Sequence, residues 1–231
     1  MSRRVLPGMT KVQPLPRVLL TGFDAFGTTR QADTALNSSW LAAQALHGKQ
    51  IAGHRVVAAQ LPTAFNTSVA ELTRLLHLHQ PALVICLGQA GGRQALSLER
   101  IAINLDDAPM ADNAGAQPID AAVVEGGPAA YFSTLPIKAM LAALQRDGIA
   151  AELSQSAGTF VCNHVFYALM HLLASPADKA RARGGFVHVP YLPGQGKPCM
   201  PLEEMVAGLR TMVACALLTR DDCVASAGAL S

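Results

Sequence analysis

Charge is scarce in this chain. Only 15% of its 231 residues are Asp, Glu, Lys or Arg, and the formal net charge is +2. So small a balance argues against a nucleic acid or an anionic membrane surface as partner. Aromatic residues are sparse as well, at 5% with a single tryptophan. The five cysteines, Cys86, Cys162, Cys199, Cys215 and Cys223, are an odd number with no CxxC spacing. That speaks against a disulfide framework and a structural zinc site, so neither a metal nor a cofactor is expected. No stretch approaches the ~20 apolar residues of a membrane span. The first sixteen residues hold three prolines and no apolar run of signal-peptide length, which points to a cytoplasmic location. Internal repeats and low-complexity linkers are missing too.

What the chain does have is apolar substance. Hydrophobic residues make up 51% of it, and a domain of this size buries roughly 70–75% of its unfolded surface. Short apolar runs predict strands at 17–22, 54–60, 81–88, 98–105, 151–155 and 185–190. Apolar residues three and four apart predict helices at 37–46, 66–78, 136–146, 162–173 and 202–218, with Asn37 or a neighbouring serine as a cap. The Asp- and Gly-rich stretch 106–128 reads as a long loop, and Lys179–Arg183 as a solvated one. Strands alternating with helices predict an α/β fold, a three-layer sandwich with a largely parallel twisted sheet. Residues 1–16 are expected to form a flexible leader, 17–222 a single α/β domain and 223–231 a loose tail.

Three residues stand out for chemistry. Cys162 falls where a predicted strand turns into a predicted helix, and a helix N-terminus favours a thiolate and offers N–H donors to an oxyanion. The plainer alternative is a small buried hydrophobe, the better reading for Cys86 and Cys215. A nucleophilic cysteine needs a base. His188 ends an apolar strand ahead of a proline turn, where sites form in α/β sheets. His164, two residues after Cys162, points to another side of the helix, while His47, His54, His77 and His79 look exposed. Glu99 enters an apolar strand, where an unpaired carboxylate is costly. It could orient a histidine or form a structural ion pair with Arg100. Asp24, Asp106, Asp107 and Asp112 lie in loops and are weaker candidates. Gly88-Gln-Ala-Gly-Gly-Arg93 fits neither phosphate-binding glycine pattern and reads as a tight turn.

Seven segments in order carry a resemblance. They are Leu-Leu-Thr-Gly-Phe-Asp-Ala-Phe-Gly at 19–27, Asn37-Ser-Ser-Trp40, Gly88-Gln-Ala-Gly-Gly-Arg93, Glu99-Arg-Ile-Ala-Ile-Asn104, Gly126-Gly-Pro-Ala-Ala-Tyr131, Ala157-Gly-Thr-Phe-Val-Cys-Asn163 and Gly185-Phe-Val-His-Val-Pro-Tyr191. Over residues 17–193 the chain resembles the pyroglutamyl peptidase I, or pyrrolidone-carboxylate peptidase, family of cysteine peptidases. The resemblance implies a Cys-His-Glu triad on Cys162, His188 and Glu99, and a fold like that of the purine nucleoside phosphorylases. It also implies a homotetramer and hydrolysis of peptides after an N-terminal pyroglutamyl residue. Phe23, Phe26 and Phe160 would enclose the lactam ring, with Gln89 on its polar edge. Two departures are visible. Ala25 stands where the family usually has proline. Pro109 stands where it carries an arginine that helps hold the oxyanion, so Arg93 or backbone N–H groups would substitute. Two rival expectations follow: a pyroglutamyl-peptide binding protein without turnover, and a phosphorylase-type transferase.

Overall fold

In a computed structural model of the protein, residues 14–26, 36–175 and 182–228 are described. Most of the predicted leader, Gly27 of the first segment, residues 179–181 and the last three tail residues lie outside that range. Four parallel strands make the middle of the sheet: β1 (Arg17–Phe23), β3 (His54–Leu61), β4 (Leu83–Gln89) and β9 (Arg183–Val189). Strands β1, β4 and β9 are buried on both faces, as a covered parallel sheet requires, while β3, nearer the edge, is only partly buried. The two-residue β2 (Gln50–Ile51) borders β3, while β5 (Leu96–Glu99) and β8 (Ala151–Ser154) extend the sheet past β9. The order is β2-β3-β1-β4-β9-β5-β8, with β5 antiparallel to β9 and parallel to β8. The sheet is thus mixed, though mostly parallel.

Side-chain alternation divides two cores between the faces of this sheet. Val18, Leu20, Leu83, Ile85, Leu87, Val187 and Val189 face one way, toward α1 (Ser38–Ala45), α3 (Ile137–Arg146) and α5 (Leu202–Leu218). Leu19, Phe23, Val84, Cys86 and Phe186 face the other, toward α2 (Phe65–His79) and α4 (Val161–Ala174). The three layers expected from the sequence are therefore present. Helix α1 approaches β1 so closely that a Cβ on Gly22 would lie 2.5 Å from the Ser39 carbonyl carbon.

One predicted strand divides. The run 98–105 leaves the main sheet after Glu99, and β6 (Ile101–Ile103) pairs instead with β7 (Ala130–Phe132), a strand not expected from the apolar pattern. The Asn163 amide completes the free edge of β6: its Oδ1 accepts the Ile103 N–H at 3.0 Å, and its Nδ2 donates to the Ile103 and Leu105 carbonyls. Arg183 is not in a solvated loop; it starts β9 and donates to the carbonyls of Ala216 and Thr219 at the end of α5. Beyond α5 the chain turns back. Asp222 accepts the Lys138 and Ala139 N–H groups at 3.1 and 2.9 Å, supplying the cap that Pro136 cannot, and Ala227 O accepts from Arg100 at 3.3 Å. Asp222 ends the expected domain, and within the segment expected to be a loose tail Ala227 provides one anchor.

Candidate active site

The carboxyl ends of β1, β4 and β9 open on one edge of the sheet, the place where α/β folds assemble sites. Gly88 and His188 are partners across the β4–β9 pair, and partners in a parallel ladder point to the same face. That face is the one covered by α4. A Cβ on Gly88 would lie 2.7 Å from Cys162 Sγ, so glycine is what lets the first turn of α4 set its sulfur against the sheet, on His188's side. Ser97 of β5 pairs with His188, and Glu99, two residues on, shares its face. The result is a contact: His188 Nδ1 lies 2.7 Å from Glu99 Oε1. Glu99 is 0% exposed and His188 4%.

Cys162 is the second residue of α4. The cap residue Phe160 offers no side-chain acceptor, and the first bond into the helix runs from His164 N to Phe160 O. The N–H groups of the first turn are thus left for a ligand. Burial pushes the Cys162 thiol up to about 12, with the Glu99 charge adding to the rise and Arg93 opposing it. The thiolate expected from helix position alone is therefore outweighed in the unliganded site. Burial also holds the His188 imidazole below its ordinary value, against the hydrogen bond and charge of Glu99, which pull it up. Both shifts favour a neutral pair: thiol and imidazole. With Nδ1–H donated to Glu99, the Nε2 of His188 is the free acceptor.

A cavity of about 190 Å³ opens beside the sulfur, walled by Phe23, Phe26, Phe160 and Tyr191 with Gln89 and Cys162. Phe26 and Phe65 each stand edge-on to Phe160 at 5.3 Å, so two further rings set the orientation of this wall. Gln89 projects to the opposite sheet face from Gly88. Its Oε1 accepts the Ser38 N–H at 2.9 Å, which turns the amide NH2 toward a ligand. Asn37, Thr63 and Val161 complete the lining. Asn37 is expected from the sequence only as a helix cap, which it is, and Tyr191 lies in a recognised segment without being singled out. Thr63, held by Asp24 through its N–H and hydroxyl, lay between a strand and a helix and carried no signal.

Arg93 is elsewhere. It is not on the cavity wall; its Nη1 donates to Glu99 Oε1 at 2.8 Å and its Nη2 to Ser156 O at 3.2 Å. The ion-pair partner of Glu99 is thus Arg93 and not Arg100, whose side chain turns to the tail. Pro109 brings no donor to the site. Its loop is fixed by Asp107 N–H on Thr159 O and Ala108 N–H on Pro118 O. Among the described residues, no group of three or more His, Cys, Asp or Glu side chains is arranged to hold a metal.

A family model described as pyroglutamyl peptidase matches residues 16–219. The chain belongs to the pyroglutamyl peptidase family. It is 55% identical over 214 residues to the pyrrolidone-carboxylate peptidase of Cupriavidus taiwanensis, covering 90% of this chain and 96% of that one. To pyrrolidone-carboxylate peptidase 1 of Ralstonia nicotianae it is 51% identical over 221 residues, 94% of this chain and all of the relative. The crystal structure of pyroglutamyl peptidase I from Bacillus amyloliquefaciens superposes with a TM-score of 0.86 at 40% identity, covering 92% of this chain and 100% of that one. Both the α/β fold and the family membership expected from the segments are therefore shown.

Proposed function

We propose that Cys162, His188 and Glu99 carry out the family's reaction here, hydrolysis of the amide bond after an N-terminal pyroglutamyl residue with release of free pyroglutamate. The observation that carries this reading is the placement of the three residues on one sheet face: the Cys162 sulfur packs on Gly88, the ladder partner of His188, and His188 bonds buried Glu99 at 2.7 Å. Because thiol and imidazole are both neutral at rest, the thiol proton passes to His188 Nε2 as Sγ attacks the acyl carbon. The first-turn N–H groups of α4 face the developing oxyanion. Glu99 supports the imidazolium, which gives its proton to the departing amine. Water, deprotonated by the same nitrogen, then cleaves the thioester and restores the thiol.

The cavity supports a neutral five-membered lactam. Among the described residues none of its lining is charged, aromatic walls suit a flat uncharged ring, and the Gln89 NH2 can donate to a lactam oxygen. Its volume is below the roughly 300–1,000 Å³ of clefts for drug-sized ligands, in keeping with a one-ring fragment. A phosphate-holding role for the glycine turn gains no support, since its amide is bound to Ser38 and its cation to Glu99.

A cytoplasmic location and a homotetramer belong to the same proposal. All five cysteines are free, and no described helix is long and apolar enough to cross a membrane. The test is hydrolysis of a fluorogenic pyroglutamyl amide before and after iodoacetamide. Thiol-sensitive release supports the reading. No release from folded, reduced protein overturns it and leaves binding without turnover.

A further inference from the structure

We propose that Arg93 is a positioning residue of the catalytic apparatus, holding Glu99 in place behind His188 and tying the turn after β4 to the chain that leads into Cys162. The inference rests on the catalytic reading above and gives Arg93 a role away from the substrate. A fully buried carboxylate is costly unless compensated. The other oxygen of Glu99, Oε2, is buried without a partner, so the side chain is held through Oε1. Two donors converge there: Arg93 Nη1 at 2.8 Å and His188 Nδ1 at 2.7 Å. Fixing the carboxylate from one side fixes the imidazole on the other.

The second arm of the guanidinium bonds Ser156 O, four residues before the cap of α4. The Ser156 hydroxyl in turn accepts the Gly158 N–H at 3.1 Å, so the turn into the nucleophile's helix is held at its start. One planar fork thus joins the Glu99 strand to the approach of Cys162. A lysine, with a single charged point, cannot span both acceptors. Arg93 side-chain exposure is 25%, and that surface lies off the cavity wall, so it touches no part of the lactam pocket. The charge of Arg93 is also felt at both Cys162 and His188.

The charged and titratable groups that face one another are Glu99 from β5, His188 from β9, Cys162 from α4, Cys86 from β4 and Arg93 itself. Removing the cation strengthens proton binding by this coupled cluster wherever the proton resides. The experiment compares wild type with Arg93→Gln, Arg93→Lys, Glu99→Gln and the Arg93→Gln/Glu99→Gln double variant. It follows kcat/KM against pH on a pyroglutamyl amide and, in parallel, the pH dependence of Cys162 alkylation by iodoacetamide, read by peptide mass.

For Arg93→Gln the acid limb should move up by about one pH unit, the low end of shifts caused by a neighbouring charge. Its kcat should fall while KM stays within about twofold, the pattern of lost transition-state stabilisation. Arg93→Lys should keep the wild-type limb and lose kcat several-fold. A limb that coincides with wild type in Arg93→Gln, or a rise in KM alone, overturns the proposal. Should Arg93→Gln fail to fold, the double variant removes both charges. It is expected to fold and to fall below Glu99→Gln alone by no more than the several-fold that Arg93→Lys loses, the share of the Ser156 arm, and a larger further loss overturns the proposal. The alkylation limb separates the two levels. Wild type that hydrolyses nothing defeats the peptidase reading, while alkylation still reports what Arg93 does to Cys162 and His188.

Discussion

Among the described residues two histidine–carboxylate pairs lie buried, and their hydrogen bonds have the same length. His188 Nδ1 meets Glu99 at 2.7 Å, and His164 Nδ1 meets Asp106 at 2.7 Å. Both histidines are nearly closed to solvent, at 4% and 6% exposure. Their surroundings differ. His188 shares a sheet face with Cys162, and Glu99 has Arg93 as a second partner. His164 stands edge-on to Phe65 at 5.3 Å, and Asp106 exchanges both backbone hydrogen bonds with Ala121. The second pair clasps the loop at 106 to the first turn of α4, alongside the three bonds of Asn163. A histidine held by a carboxylate is thus not by itself a catalytic unit. What makes one of these pairs a candidate base is the glycine that brings a sulfur to it and the cavity that opens beside it.

This contrast can be broken in order of effect. Replacing Cys162 by Ala or Ser should leave no measurable hydrolysis while the circular dichroism stays that of wild type. Glu99→Gln, which leaves shape nearly intact, should reduce kcat by roughly 10³–10⁴, as in triads that lose their orienting carboxylate. In the other pair, Asp106→Asn and His164→Ala should lower kcat/KM by less than about tenfold. His164→Ala should instead lower stability by about 3–5 kcal/mol in urea unfolding, the cost of leaving one partner of a buried pair alone. Equal kinetic losses from the two pairs would erase the distinction.

Gln89→Ala should raise KM by about two- to tenfold with little change in kcat, since one donor to a bound ring is worth about 0.5–1.5 kcal/mol. The smallest effect concerns pH. Burial lowers His188 below its ordinary 6.5, so the imidazole stays unprotonated as pH falls through that value. The acid limb of wild-type kcat/KM should therefore have its midpoint under 6.5. A midpoint above it would mean that the pull of Glu99 outweighs burial.

Much of this could be read from the chain because local patterns decided it. Helix α5 runs over the residues its apolar spacing marked, and β4 and β9 lie where uninterrupted apolar runs put them. Cys162, His188 and Glu99 were each visible from position and chemistry, with the family segments choosing among the alternatives for Glu99. The partner of Glu99 was not legible. Arg100 is its neighbour in sequence, but successive residues of a strand point to opposite faces, so the charge that reaches Glu99 comes from Arg93, across a turn. The division of 98–105 was hidden for a related reason, because it depends on an asparagine some sixty residues away. The pairing of His164 with Asp106 likewise needs the long loop to be placed first.

The returning segment after α5 has a practical consequence. Through Asp222 it caps α3, and through Ala227 it holds the side chain next to Glu99. An affinity tag or fusion partner joined directly after Leu218 would remove both anchors and be felt at Arg100, the residue beside Glu99 in the chain. One joined after residue 228 would keep them. For protein engineering, the usable C-terminal boundary is therefore set by two hydrogen-bonded residues and not by the end of the last helix.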